Sequence, residues 1–170
     1  MKRGEEVRVA DNFSTGKREN LTPFLERIEL VEGDIRSYHI VREVVQGVDY
    51  VLHQGGLPSV PRSINDPITT NEVNVGGTLN ILDASRDAGV KRVVYASSSS
   101  VYGANKELPK REDMAPQPIS PYAVAKLTTA TCSRGPTGWR RWPCAISMCL
   151  GRGRIPNPST RRSFRNSSWA

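Results

Sequence analysis

The feature that most limits the possible folds is a regular alternation of short β-type runs with helical patterns along the first 127 residues. The β-type runs are rich in Val, Ile, Leu and Tyr and lie at residues 6–10, 28–31, 49–53 and 92–96. Helical patterns lie at residues 19–27, 38–45 and 71–88, and another begins at residue 122. Because strands that alternate with helices pair in parallel, the sequence predicts an α/β fold with a doubly wound parallel sheet. Ligands of such a sheet bind at the carboxyl ends of its strands.

The composition changes abruptly after Leu127. Residues 128–170 contain eight Arg, no Lys and no acidic residue, and they hold all three Cys and all three Trp of the chain. Four Pro interrupt any helix there, and we find no strand pattern to replace it. We therefore divide the chain into a partial nucleotide-binding domain at 1–127 and an irregular, basic, poorly packed tail at 128–170. Nucleic-acid binding by that tail is a rival interpretation, which the complete lack of Lys disfavours.

No apolar run approaches the ~18 residues that a membrane-spanning helix needs. No hydrophobic segment follows the charged residues at the start of the sequence, so we predict neither a signal peptide nor a membrane partner. The expected location is the cytoplasm. The two His and three Cys show no metal-ligand spacing, and no metal is predicted.

A phenol and an ammonium lie four residues apart at Tyr122 and Lys126, which places them on one face of a helix. A free phenol ionises only near pH ~10, and a nearby ammonium favours the phenolate. The run Ser97–Ser100 supplies hydroxyls at the end of a predicted strand. A Tyr-x-x-x-Lys pair alone is weak evidence for a proton-transfer site, and the surrounding motifs decide its meaning.

Four ordered segments carry a resemblance to a known family: residues 53–64 (HQGGLPSVPRSI), 71–79 (NEVNVGGTL), 95–103 (YASSSSVYG) and 120–126 (SPYAVAK). Together they resemble the NAD-dependent epimerase/dehydratase family, the extended branch of the short-chain dehydrogenases/reductases. They are most similar to bacterial UDP-sugar 4-epimerases that act on UDP-N-acetylglucosamine or UDP-glucose. The resemblance implies a Rossmann-like fold, NAD as cofactor, a UDP-sugar substrate and a homodimer. UDP-glucuronate 4-epimerase is the nearest alternative; related dehydratases carry an Asp-Glu pair where this sequence has Ser99 and Ser100.

The resemblance also implies roles for single residues. Tyr122 would be the base that takes the proton of the sugar 4-hydroxyl, and Lys126 would favour its phenolate and bind the nicotinamide ribose. Ser98 matches the catalytic hydroxyl, with Ser99 as the alternative. Ser59 and Arg62 match positions near the sugar nucleotide, although plain surface positions are an equal interpretation. The cofactor contacts implied besides Tyr122 and Lys126 are Asp11, Asn12, Ser14, Asp34, Ile35, Gln54, Gly55, Gly56 and Asn74.

Two features of the family are missing from the sequence. Only ten residues precede Asp11, too few for the opening strand and Gly-rich turn that bind the cofactor pyrophosphate ~20 residues before this acid. After Leu127, the tail matches the family only when its implied codons are grouped one nucleotide earlier, which permits YFNVFGPRQDP from Ala145 onward. We therefore expect a truncated start and a frameshifted tail, and we expect the 170-residue chain itself to be an inactive fragment.

Overall fold

The computed structural model describes residues 4–111, 113–132 and 144–148. Within these ranges, five strands form two sheets, and every strand pair is parallel. The strands are β1 (Arg8–Asp11), β2 (Glu29–Glu32), β3 (Tyr50–His53), β4 (Arg92–Ser97) and β5 (Cys144–Met148). The helices are α1 (Tyr38–Val45), α2 (Val60–Asn65), α3 (Pro67–Asn71), α4 (Gly77–Asp87) and α5 (Pro121–Cys132). A π-helical turn at Glu72–Gly76 joins α3 to α4, and 3-10 segments lie at Arg18–Asn20, Thr22–Arg27 and Ser99–Tyr102.

The two sheets have different sizes. β1 pairs with β2 in the smaller sheet, where Asp11 lies opposite Glu32. The larger sheet has the order β3-β4-β5, and its central strand β4 places Tyr95 between His53 of β3 and Ile146 of β5. α-Helices lie between the paired strands of the larger sheet, as parallel crossovers usually require, whereas only 3-10 segments lie between β1 and β2. The predicted fold class is confirmed.

The core of the α/β layer is formed where α1 packs against α4. Val41 and Val45 of α1 contact Ile81 and Ala84 of α4, and all four side chains are buried. Hydrophobic residues recur along α1 with helical spacing, so one face of this helix is apolar and turns inward. Each such aliphatic side chain larger than Ala contributes about 1.5–3 kcal/mol when it leaves water completely. This packing holds the loop after β2 against α4.

Several predicted elements agree with the structure, while two need correction. α1 has the predicted bounds, and α4 ends as expected before Gly89, whose φ of +71° suits the left-handed residue that follows a helix. Residues 19–27 do not form an α-helix: they lie in two 3-10 segments without a buried residue, so no packed face stabilises a longer helix. The predicted helix at 71–88 is continuous in path but contains the π-helical turn.

The chain after Leu127 also differs from the prediction. α5 continues past the change in composition to Cys132, and β5 adds a parallel strand to β4 at Cys144–Met148. The expectation that no strand follows Leu127 is therefore wrong. The other expectations for the tail concern residues 133–143 and 149–170, which lie outside the described residues. In the part of the chain that the structure describes, no helix is long and apolar enough to cross a membrane.

Candidate active site

The start of α5 fixes the position of Tyr122. Pro121 occupies the first helical position, where its missing N–H costs nothing and its restricted φ favours the helix. The Ser120 hydroxyl accepts a hydrogen bond from the Ala123 N–H at 3.1 Å. The Tyr122 N–H donates to Ser63 Oγ at 3.0 Å, so a residue of α2 binds the first turn of α5. Tyr122 itself is half-buried.

Lys126, one turn further along α5, is a buried lysine with 6% of its surface exposed. Its ammonium donates to the carbonyl oxygen of Ala96 at 3.1 Å and lies 4.9 Å from the centre of the Tyr95 ring. A buried ammonium needs such partners because transfer out of water is costly. The Thr129 hydroxyl lies 2.6 Å from the Tyr95 hydroxyl and holds the ring in place. Lys126 is therefore anchored at the carboxyl end of β4.

His53 is buried beside this cation. Its Nε2 lies 2.9 Å from Thr78 Oγ1, and the Thr78 hydroxyl donates its proton to the Asn74 carbonyl at 2.6 Å. Because that proton is already used, His53 must donate from Nε2, which fixes the neutral tautomer. Burial, and secondarily the charge of Lys126, lowers the pKa of His53 from 6.5 to about 4. His53 is thus a neutral hydrogen-bond donor with a structural role. Among the described residues, no three or more His, Cys, Asp or Glu side chains form a cluster suited to a metal.

Ser98 and Ser99 differ in their surroundings. Ser98 directly follows β4, is half-buried, and accepts a hydrogen bond from the Ser100 N–H at 3.2 Å. Ser99 is exposed and begins the 3-10 segment, which packs against α5. The Ser98 oxygen acts as an acceptor here, and a hydroxyl that accepts one hydrogen bond can also donate its own proton.

The loop after β3 passes close to Lys126. Gly56 has a φ of +149°, and a Cβ atom there would lie 2.8 Å from Asn74 Oδ1 and 3.5 Å from Lys126 Nζ. Asn74 is buried in the π-helical turn, where its amide accepts from the Leu57 N–H at 2.7 Å and donates to the Leu57 carbonyl at 3.0 Å. π-Helical turns are rare and lie frequently at functional sites. Asn74 therefore shapes this loop, while Gly55 and Gln54 remain exposed beside it.

The residues predicted to bind adenosine meet at the ends of β1 and β2. Asp11 Oδ1 accepts from the Phe13 N–H at 2.8 Å, and Asn12 Nδ2 donates to Asp34 Oδ2 at 3.1 Å. Hydrogen bonding from Arg36 lowers the pKa of Asp34 to about 2. The remaining two residues of this group, Ser14 and Ile35, lie in the same loops; Ser14 is exposed and Ile35 packs against α4.

The two residues predicted near the sugar nucleotide, Ser59 and Arg62, lie at the start of α2 and are exposed. Ser59 Oγ accepts from the Arg62 N–H at 3.4 Å, a long hydrogen bond. Ser59 also has a φ of +93°, which is strained for a residue with a side chain and is a feature often kept at functional sites.

Comparison with known proteins identifies the family. The model of the NAD-dependent epimerase/dehydratase family matches residues 1–135, well over half of the chain. The chain belongs to this family.

Individual members of the epimerase/dehydratase family agree with that assignment. The UDP-glucose 4-epimerase of Lacticaseibacillus casei is 35% identical over 126 residues, which are 73% of this chain and 37% of that enzyme. The crystal structure of dTDP-glucose 4,6-dehydratase from Streptomyces venezuelae with NAD and TYD is 34% identical with a TM-score of 0.79, over 84% of this chain and 45% of that one. The crystal structure of UDP-glucose 4-epimerase from Bifidobacterium longum with NAD+ and UDP is 26% identical with a TM-score of 0.75. The match covers 85% of this chain and 45% of that one. The chain thus spans less than half the length of these relatives.

The residues of this family member fit a dinucleotide. Asp11 and Lys126 both lie at carboxyl ends of strands, where one carboxylate suits a ribose diol and one ammonium suits a second ribose. The missing side chain of Gly56 leaves space that a Cβ would fill, beside the buried Lys126. Three residues of the site were not singled out from the sequence: Ser63, Thr78 and Tyr95. The structure places Ser63 against the Tyr122 amide, the Tyr95 ring beside the Lys126 ammonium, and Thr78 against His53. The position of all three residues inside the family-like segments at 53–64, 71–79 and 95–103 was the signal that could have found them.

Proposed function

We propose that this chain is part of an NAD-dependent UDP-sugar 4-epimerase acting on UDP-glucose or UDP-N-acetylglucosamine. The observation that carries the proposal is the arrangement of α5: Tyr122 is half-buried at its start, and Lys126 is fixed one turn later to the end of β4. The 3-10 segment behind Ser98 packs against the same helix. A base, a cation and a hydroxyl therefore lie on neighbouring elements.

The cofactor would be held by two groups of residues. At the adenosine end, Asp11, Asn12 and Ser14 would bind the ribose, and the loop of Asp34 and Ile35 would border the adenine. At the nicotinamide end, Lys126 would bind the ribose, and the Asn74-supported loop of Gln54, Gly55 and Gly56 would allow close approach of the backbone. When bound, the nicotinamide would supply a reversible hydride acceptor for C4 of the sugar.

The proton transfer is the work of this chain's own side chains. Tyr122 would accept the proton of the sugar 4-hydroxyl and later return it, and Ser98 would relay it because its hydroxyl both accepts and donates. Lys126 would supply a fixed positive charge one helical turn from Tyr122, where its ammonium is bound to the Ala96 carbonyl.

One sequence feature supports a 4-epimerase over the dehydratases, and a second supports a sugar-nucleotide substrate in general. Ser99 and Ser100 occupy the positions where the resembling dehydratases carry an Asp-Glu pair, and neither serine offers a carboxylate for dehydration chemistry. The exposed Ser59 and Arg62 on α2 are available to the sugar nucleotide, with Arg62 supplying a positive charge. UDP-glucuronate remains the alternative substrate that an assay must separate.

The proposed partner, besides the substrate, is a second copy of the chain. Large apolar side chains are exposed on helices that pack around α5: Ile64 on α2, Ile68 on α3 and Val124 on α5. Exposed apolar side chains of this kind favour association. Light scattering of the purified protein tests the dimer.

A chimeric enzyme tests the activity. Residues 4–127 would replace the matching segment of the Lacticaseibacillus casei UDP-glucose 4-epimerase, and the folded chimera would be given UDP-galactose, UDP-N-acetylgalactosamine and UDP-galacturonate. We expect conversion of the first, the second or both, and none of the third. A chimera that folds and retains NAD but converts none of them would contradict the proposal.

A further inference from the structure

The hydroxyl of Ser63 joins two helices that are distant in sequence. Ser63 is completely buried, donates to the Val60 carbonyl at 2.7 Å, and accepts from the Tyr122 N–H at 3.0 Å, across 59 residues of sequence. The first N–H groups of a helix have no partner within the helix itself. Ser63 therefore supplies an acceptor to the amide of the residue that begins the proposed reaction.

The start of α5 takes its hydrogen-bond acceptors from two sources. Ser120, directly before the helix, accepts from the Ala123 N–H at 3.1 Å and is an ordinary local cap. Ser63 instead belongs to α2, the short helix that carries Ser59 and Arg62. The amide of Tyr122 is thus bound to the same helix that presents the proposed sugar-nucleotide contacts.

We propose that Ser63 is a positioning residue that fixes the backbone of Tyr122 to α2, so that the base and the substrate-binding helix keep one relative position. The inference rests on the proposed function, which assigns Tyr122 to proton transfer and Ser59 and Arg62 to the sugar nucleotide. Positioning of this kind matters because proton transfer requires hydrogen-bond distance between the phenol and the sugar hydroxyl. The hydroxyl of Ser63 accepts from Tyr122 across to α5 and donates to the Val60 carbonyl within α2, and the second bond orients the oxygen that makes the link.

Ser85 offers a matched control. It is also completely buried, and its hydroxyl has no hydrogen-bond partner among the residues that the structure describes. Ser85→Ala therefore removes the same atom from an equally buried position without breaking a hydrogen bond between helices. Any general effect of replacing a buried serine appears in both variants.

The test measures amide hydrogen exchange by NMR in the 170-residue chain. We expect Ser63→Ala to speed exchange of the Tyr122 amide by roughly tenfold, since this N–H loses its acceptor and the first turn opens more easily. The Lys126 amide should keep its rate, as should the Tyr122 amide in Ser85→Ala. Equal Tyr122 exchange in Ser63→Ala and Ser85→Ala would overturn the proposal. Urea unfolding of each variant shows whether a change is local or global.

A second measurement adds UDP-glucose to the same samples. In the unsubstituted chain and in Ser85→Ala, binding should shift the Tyr122 amide resonance together with those of Ser59 and Arg62. In Ser63→Ala, the shifts on α2 should persist while the Tyr122 shift is lost; an unchanged Tyr122 shift would overturn the proposal. If UDP-glucose shifts no resonance in any sample, the proposed contacts of Ser59 and Arg62 with the sugar nucleotide fail in this chain, and the exchange rates alone then decide the link through Ser63.

Discussion

The Nζ atom of Lys126 donates a hydrogen bond of 3.1 Å to the carbonyl oxygen of Ala96. Ala96 is the last but one residue of β4, so this contact ties the ammonium to the carboxyl end of the strand. The Tyr95 ring supports the same nitrogen from 4.9 Å, and His53 is held neutral nearby. The ammonium of Lys126 is therefore fixed to the end of β4, and its charge affects His53 even without a ligand.

Replacement of Lys126 should change the ionisation of His53. Lys126→Met keeps an unbranched side chain, one heavy atom shorter, and removes the charge. The pKa of His53 should therefore rise from about 4 while staying below 6.5, because burial is the larger cause of its depression. NMR titration of the His53 ring measures this change. Lys91→Met, which removes a surface lysine paired with Asp49, is the control and should leave the His53 pKa unchanged. An unaltered His53 pKa in Lys126→Met would refute the electrostatic contact.

The stability of the protein should depend on pH through His53. Its pKa is about 4 when folded against 6.5 for an unperturbed histidine, so the unfolded chain binds the proton more readily. The contribution of His53 to the free energy of unfolding is therefore fully present above pH 6.5. It is lost as the pH drops toward 4, by up to about 3 kcal/mol. Urea unfolding at several pH values measures the slope. Asp34, whose pKa is lowered from 3.8 to about 2, stabilises the fold above this range, and its contribution is lost only as the pH falls below 3.8.

His53→Gln is the variant that isolates this effect. Gln retains a donor for Thr78 but does not titrate, so the loss of stability between pH 6.5 and 4 should become smaller. The exposed His39 provides the control, since His39→Gln should leave the slope as it is. Equal slopes in the original chain and in His53→Gln would show that His53 is not responsible.

A side chain at Gly56 should disturb the loop near Lys126. Gly56→Ala places a Cβ atom 2.8 Å from Asn74 Oδ1 at a φ of +149°, and should destabilise the protein by about 2 kcal/mol and weaken NAD binding. Gly76→Ala is the control, because Gly76 lies in the helical path with nothing within 4 Å of its Cβ position. That variant should be neutral or up to about 1 kcal/mol more stable. Similar unfolding curves for both variants would contradict the predicted clash.

The gene itself tests the proposed frameshift of the tail. The structure pairs Cys144–Met148 with β4, and the shifted grouping of codons gives a β-type, family-like sequence at the same place. We expect resequencing of codons 127–136 to reveal one inserted or deleted nucleotide. A confirmed reading frame that still encodes the Arg-rich tail would reject this explanation.

The sequence predicted those elements whose residues show a periodic apolar pattern within the element itself. The bounds of α1 followed from its apolar face, which Val41 and Val45 bury against α4. The π-helical turn had no such signal, because it depends on the fit of distant groups: Asn74 binds Leu57, and Gly77 lies against Ile35. β5 was missed for a similar reason, since its strand conformation depends on pairing with β4.

The candidate site shows the same division. The spacing of Tyr122 and Lys126 was visible in the sequence because both belong to one helix. The link from Ser63 to Tyr122 spans 59 residues, and the contact of Lys126 with Ala96 spans 30, so neither leaves a periodic pattern. The run of four Ser likewise gave no sign that Ser98 is half-buried and Ser99 exposed.

Turnover by the chimera with and without the Tyr122 hydroxyl tests whether this phenol is the base of the reaction. Tyr122→Phe removes one oxygen atom from the proposed base and leaves α5 and the ring intact. We expect UDP-galactose conversion to fall by about a thousandfold while the NAD content stays the same, a loss in the range expected for a general acid-base group. Conversion within a few-fold of the unsubstituted chimera would contradict the assignment of Tyr122 as the base.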